Sequence, residues 1–401
     1  MAEATTRALV DRCPGLLRPH HAEDGALVRL RIPGGQTDAT TLLALSRVAV
    51  ALGEGSLQLT SRGNLQLRGI DEARLPELVE RVAALGLLPS VTHELVRNVV
   101  ASPLSGSVGP VAPVGPFGPA ADVRALVAQV DAAVCAAPTL AALPGRFLFA
   151  LDDGHGDVSG LRFDLGYCAT GPGCGWVLVG GRRHGIPATP ATAVGLLVAL
   201  AERFVRLRSA QVRSGQTRPP WHVNELGRAT ELHESIVEVP AGALPAVAGP
   251  LPYGTLGADA SVGVPLSLLD PGQVAAIDRV TGGGRVVVTP WRGLVLPEAG
   301  DALPELAAAG LITEPESPWS GLTACIWAPG CASARISTRR LATELAAALT
   351  VSPGQPRPRP VHVSGCERRC GSPSGDHVDL VAPAGLAAAL AAVRSRPEDD
   401  R

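Results

Sequence analysis

"VRLRIPGGQTDATTLLALSRVAVALGEGSLQLTSRGNLQLRGI", residues 28–70, is the stretch whose reading decides the fold. Strand-like alternation around "ALVRLRIPGG" leads through Asp38 into "ATTLLALSRVAVAL", where apolar residues at 42, 45, 48 and 52 recur at helical spacing until Gly53 stops the helix. "SLQLT" and "NLQLRGI" then alternate as two strands joined by a turn at Arg62 and Gly63, and "EARLPELVERVAALG" reads as a second helix. Strand, helix, strand, strand, helix is the core of a split βαβ, ferredoxin-like unit.

Farther along, "VGVPLSLLDPGQVAAIDRVTGGGRVVVTPWRGLVLPEAG", residues 262–300, runs through the same plan. Thr60 aligns with Thr289 and Leu67 with Leu296. Duplication within one chain is the simplest account, and chance similarity of two ordinary α/β segments is the competing one. The expected class is α+β, a pseudo-twofold arrangement of two ferredoxin-like half-domains and two larger α/β subdomains. The expected boundaries are 1–86, 87–213, 214–311 and 312–401. "RSGQTRPPW", residues 213–221, reads as a linker between the halves, and the Pro-rich stretch from Ser102 to Ala120 as a loop or flap over a site.

A chain of 401 residues with 46% apolar content exceeds one hydrophobic core. A formal charge of −2 gives no reason to expect a nucleic-acid or membrane-surface partner. The N-terminal "MAEATTRALVDRCPG" lacks the apolar run of a secretory signal, and Ala191 to Ala201 is too short to span a bilayer. The cytoplasm is therefore the expected compartment, where eight cysteines suit metal ligands or thiols better than a disulfide framework. All 35 basic residues are Arg, so no lysine can serve as a Schiff-base, general-base or phosphate-loop residue.

Cys325 and Cys331 in "TACIWAPGCASA" are separated by five residues, and Cys366 and Cys370 in "VSGCERRCGSP" by three. Four soft thiolates in two local pairs suit a [4Fe–4S] cluster, with Gly365 and Gly371, and Pro329 and Gly330, letting the backbone fold tightly. A zinc site is the competing reading, although paired zinc cysteines are usually separated by two to four residues. Cys168 and Cys174 read as small side chains on a Gly-rich hairpin, and Cys13 and Cys135 carry no assigned chemistry. "LTSRGNLQLRG" and "RNVVASPLSG" offer Arg62, Asn64, Arg68, Arg97 and Asn98 near strand ends. Each alone is an ordinary edge residue, whereas several converging on one cleft would bind a polycarboxylate.

The cysteine spacing, those two segments and the duplicated plan resemble the sulfite and nitrite reductase family over nearly the whole chain. The resemblance implies a pseudo-twofold protein with a [4Fe–4S] cluster on Cys325, Cys331, Cys366 and Cys370, against which a tetrapyrrole lies. It also implies that Arg62, Asn64, Arg97, Asn98 and Arg146 face that tetrapyrrole. Sulfite enzymes of the family carry closely spaced cations in the stretch matching "LPGRFLFALDDG"; here Arg146 stands for one and Leu148 replaces a second. Losing a cation from a site that must gather an inorganic anion argues against anion reduction.

The opening "CPGLLRPHHAEDGALVRLRIPGG" is similar to the branch of the family that acts on precorrins in aerobic cobalamin biosynthesis. That branch implies a monooxygenation, in which precorrin-3A takes one oxygen atom from O2 at C20 and forms a γ-lactone. Sirohaem would then be absent, electrons would enter through the cluster, and NADH would act through a separate donor protein, since no G-x-G-x-x-G fingerprint follows a strand. Whether a mononuclear non-haem iron also binds O2 is open, and so is the catalytic residue; the adjacent His20 and His21 read as a solvated loop. Two alternatives stay beside this reading: a sirohaem-dependent sulfite or nitrite reductase, and a non-catalytic tetrapyrrole- or cluster-binding protein.

Overall fold

A computed structural model describes residues 11–107, 121–214, 219–325, 330–349, 359–373 and 375–394. Most of the expected Pro-rich flap (108–120), part of the expected linker (215–218), Pro329 and the first ten residues lie outside the described residues.

The first half-domain holds strands β1 (His20–Ala22), β2 (Gly25–Leu30) and β3 (Gln36–Asp38), helix α1 (Ala39–Leu52), β4 (Leu57–Leu59), β5 (Leu65–Ile70) and helix α2 (Leu75–Ala84). Next come β6 (Val99–Ala101), α3 (Arg124–Ala136), β7 (Phe149–Asp152), β8 (Leu165–Gly171), β9 (Cys174–Val179), β10 (His184–Ala188), α4 (Pro190–Arg213) and β11 (Val237–Glu238). The second copy supplies β12 (Gly254–Leu256), β13 (Asp259–Gly263), β14 (Leu268–Leu269), α5 (Pro271–Thr281), β15 (Arg285–Val288), β16 (Gly293–Leu296) and α6 (Leu303–Ala308). The last segment has β17 (Leu322–Ala324), α7 (Thr338–Ala348), β18 (Val361–Ser364), β19 (Val378–Val381) and α8 (Leu386–Arg394).

Local chemistry explains the two central helices. Asp38 caps α1 by accepting from the Thr41 N–H, and Asp270 caps α5 by accepting from the Gln273 N–H. Each such cap is worth about 1 kcal/mol. Leu42, Leu45 and Leu52 of α1 and Val274 and Ile277 of α5 enter one core that runs through both halves. Full burial of each such side chain contributes about 1.5–3 kcal/mol.

The halves are joined by reciprocal exchange of a strand. β3 of the first half pairs antiparallel with β15 of the second, and β14 of the second pairs antiparallel with β4 of the first. The sheets are therefore β1-β2-β5-β4-β14 and β12-β13-β16-β15-β3. Beside them lie a six-stranded mixed sheet, β11-β10-β9-β8-β7-β6, and a three-stranded parallel sheet, β17-β18-β19. His20 and His21, expected in a solvated loop, lie instead on edge strand β1, with the His21 Nδ1 2.5 Å from Glu72.

The copies also share their turns. Gly63 N–H donates to the Thr60 carbonyl as Arg292 N–H does to Thr289, and the Asn64 and Gly293 N–H groups both donate to the preceding threonine hydroxyl at 3.1 Å. Pro33-Gly34-Gly35 matches Pro265-Leu266-Ser267, with left-handed φ of 64° and 67° in the first and 52° and 62° in the second. In the first half these turns are closed: a Cβ on Gly35 would lie 1.9 Å from the Val288 carbonyl oxygen, at the strand exchange itself. Gly35→Ala is expected to destabilise the protein by about 3 kcal/mol or more. Gly86→Ala, also left-handed at φ 74° but in open space, is expected to cost only about 1 kcal/mol. Thermal unfolding of the two variants checks the difference.

Candidate functional site

The C-terminal parallel sheet presents the cysteines. Cys325 follows β17 and Cys366 follows β18, both at the carboxyl ends of parallel strands, where open α/β sheets collect ligands. Cys325 N–H donates to the Val363 carbonyl, its carbonyl accepts from the Thr338 hydroxyl at 2.8 Å, and its Sγ accepts from the Gly365 N–H at 3.1 Å. A Cβ on Gly365 would meet Ala334 at 2.8 Å, so glycine is what lets these two loops close on each other. The turn after Cys366 brings Arg369 into a left-handed conformation and reverses at Gly371, φ 83°.

Cys325, Cys331, Cys366 and Cys370 line one cavity of about 520 Å³ together with His20, His21, Glu23, Arg68 and Arg368. Burial pushes the Cys325 thiol up, the Gly365 N–H opposes this, and the charges of Cys370, Cys366 and Cys331 add to the rise. Mutual repulsion of four nearby thiolates is what a bound cation removes.

Arg68 connects this wall to the first half-domain. Its guanidinium grips Asp24 through two bonds, at 3.0 and 3.1 Å, and donates to the Gly330 carbonyl at 2.9 Å. Behind it lies a second cavity of about 300 Å³, whose lining again includes Arg68, Cys325 and Cys370 and adds Arg29, Gln58, Gln66 and, from the second half, Arg292. Its floor is the outer face of the first sheet. Along β2 and the residues after it, Val28, Leu30 and Ile32 enter the core, so Leu27, Arg29 and Arg31 face the other way. Arg29 donates to Gln66, which in turn donates to Gln58.

The arginines gather at one end. Arg29, Arg31, Arg62 and Arg146 repel one another strongly enough to depress several of them, although burial is the larger cause in each. Arg31 is pulled down to about 10. Its Nη1 and the Arg29 Nε are buried without a partner among the described residues. Arg146 is exposed and stacks over Trp221 at 5.2 Å, with Arg208 on the same ring. Their other bonds go to neutral groups, Arg29 to Gln66 and Arg31 to the Leu95 and Pro14 carbonyls, and cations withdrawn from water side by side are unfavourable unless an anion joins them.

The other expected residues are engaged inside the protein. Arg97 is 6% exposed and forms a bidentate pair with Asp131 at 2.7 and 2.8 Å. Asn64 accepts from the Ile32 N–H and donates to Asn98, whose own amide donates to the Leu95 and Gly145 carbonyls. These three lock the hairpin and the Gly145–Leu148 arm in place. Arg29, Arg31 and Arg292 were not singled out from the sequence, although the alternation along β2 carries the signal for the first two. Leu148 is 5% exposed in a small apolar cluster with Ala150 and Phe163, and its N–H donates to Asp164.

The same arm leads into a buried acidic group, Asp152, Asp153 and Asp157. Burial, then repulsion from Asp152 and Asp153, raises Asp157 to about 8, while the Ser102 hydroxyl donating to it opposes the rise. The folded state thus favours the protonated acid. The penalty is absent below about pH 4, where the unfolded carboxyl is also protonated, and grows up to about pH 8. Asp157→Asn is expected to flatten this decline and to be more stable than the parent above pH 8 by about 1 kcal/mol or more. Denaturant unfolding at pH 5 and pH 8.5 measures it.

Comparison with known proteins agrees with this architecture. Residues 18–85 match the nitrite/sulfite reductase ferredoxin-like half domain. The chain is 28% identical to a ferredoxin–nitrite reductase of Synechococcus elongatus, over 88% of this chain and 76% of that protein. It is 25% identical to a precorrin-3B synthase of a Sinorhizobium species, over 93% of this chain and 81% of that protein. The solved structure of the Mycobacterium tuberculosis NirA protein superposes with a TM-score of 0.62 at 19% identity, covering 85% of this chain and 68% of that one. Duplicated half-domains and a similarity that runs along most of the sequence show that this chain has the fold of the nitrite and sulfite reductases and resembles them in sequence.

Proposed function

We propose that the protein performs the precorrin-3B synthase reaction, with the tetrapyrrole as substrate rather than as cofactor. One oxygen atom of O2 would enter precorrin-3A at C20, with γ-lactone formation; the other would leave as water, using two electrons and two protons from a reduced donor. The carrying observation is the pairing of a retained arginine floor with a lost anion cation. Arg29, Arg31, Arg62 and Arg146 suit the carboxylates of a macrocycle. Leu148, where a second cation would help hold sulfite, is buried among apolar side chains and offers no charge.

The four cysteines fit a [4Fe–4S] cluster: they are free thiols that share one cavity, and the other three add to the rise of the Cys325 thiol. Cys325, Cys331, Cys366 and Cys370 would hold it, and when bound it supplies single electrons. The protein's own residues do the rest. Arg29 and Arg31 bind and orient carboxylates, Gln66 and Gln58 keep Arg29 aimed, and Arg68 ties the floor to the cysteine loop at Gly330. Electrons would come from an NADH-linked donor protein. No described helix is long and apolar enough to cross a membrane.

A second reading, ferredoxin–nitrite reductase, draws on the similarity to the Synechococcus elongatus enzyme. Protein purified without air separates the two. The proposed function expects cluster absorption without tightly bound sirohaem, and transfer of one labelled oxygen atom from O2 to supplied precorrin-3A. A sirohaem spectrum with nitrite- or sulfite-dependent electron uptake overturns it.

A further inference from the structure

The two copies use the same three left-handed turn positions in opposite ways. The first half has Gly34, Gly35 and Gly63 there, and the second has Leu266, Ser267 and Arg292, with φ of 52°, 62° and 63°. Side chains rarely adopt this conformation, and here three do so at one place. All three line the 300 Å³ cavity beside the cysteines and also a further cavity of about 470 Å³, whose walls include Tyr253, Trp291 and Trp319. In the first half the matching positions are sealed: a Cβ on Gly63 would lie 2.8 Å from the Val288 carbonyl oxygen. In the second half the turns face open space instead.

Arg292 is the only cation that the second half contributes to the lining of these two cavities. Its guanidinium makes no hydrogen bond or ion pair with a described residue, although the residue is half-buried. The opposite sheet face of the second half offers no substitute. Ser261 stands where the first half has Arg29, opposite Val295 instead of Gln66. A flat polycarboxylate held only at the Arg29 edge would be free to pivot, and one cation on the far side would fix its rotation.

We infer that Arg292 grips a carboxylate on a peripheral arm of the tetrapyrrole from the second half-domain, and that this arm enters the cavity walled by Tyr253, Trp291 and Trp319. The inference rests on the proposed function, since it concerns the same ligand. Arg292 thereby selects which face and rotation of the macrocycle is presented.

Coproporphyrin III, a stable tetracarboxylate tetrapyrrole, is the probe, titrated by fluorescence anisotropy into protein purified without air. Arg292→Gly and Arg292→Gln are both expected to raise its Kd at least fivefold. Arg292→Gly is also expected to hold or raise the Tm, because glycine adopts this φ without strain, so weakened binding cannot be assigned to unfolding. If both variants bind within fivefold of the parent while Arg29→Met binds more weakly, the inference on Arg292 is overturned and the proposed function stands. A parent protein that does not bind the porphyrin at all overturns both.

Discussion

Replacing Cys370 by Ser is expected to remove most visible cluster absorption and to lower turnover by about a hundredfold or more, with the chain still folded. Serine keeps the size of the side chain but exchanges a soft thiolate for a hydroxyl that iron binds poorly. Folding should survive because Cys370 is exposed on the turn after β18. The core of that sheet is made by Leu322, Leu341, Leu345, Val361 and Val363, none of which the change touches. Cys174→Ser, at another exposed cysteine in the β8–β9 hairpin, is the control and is expected to change nothing. Iron content, visible absorption and a circular-dichroism melt measure the effect. A Cys370→Ser protein with full absorption and activity would remove this residue from the ligand set.

Arg29→Met should weaken binding of a carboxylated tetrapyrrole by about 10- to 100-fold, the worth of one charge-assisted hydrogen-bonded contact. Stability should move the other way, rising by up to about 1 kcal/mol. The methionine removes a half-buried guanidinium whose Nε has no partner and which repels Arg31 and Arg62. Gln66 loses one bond but keeps its donation to Gln58. Opposite signs in Kd and Tm are the mark of a residue kept for binding at the expense of the fold. Lower stability with unchanged affinity would assign Arg29 to packing instead.

Much of the architecture was readable before any coordinates. The spacing of Leu42, Leu45, Val48 and Leu52 is the helix α1, the alternation in "SLQLT" and "NLQLRGI" is the hairpin of β4 and β5, and the second copy repeats both. The pairing of Thr60 with Thr289 holds to the level of individual hydrogen bonds. What the pattern did not reveal is that the copies trade strands. β3 and β14 are three and two residues long, too short to carry a periodic signal, and their partners lie more than two hundred residues away.

The site divides along the same line. By itself the sequence determined the two cysteine pairs and the absence of lysine, because spacing and composition are properties of the covalent chain. Which cations meet was decided only by tertiary structure, because charge interactions depend on distance through space and on burial. Arg97 and Arg62 look alike as strand-end arginines, yet Asp131 neutralises the first, while the second lies beside Arg29, Arg31 and Arg146. Arg29 and Arg31 occupy the outward positions of an alternating strand, and nothing in the sequence alone singled them out. Packing of the cysteine-bearing sheet against that face made Arg29 part of a cavity lining, while Arg31 is buried beside it and donates to the Leu95 carbonyl.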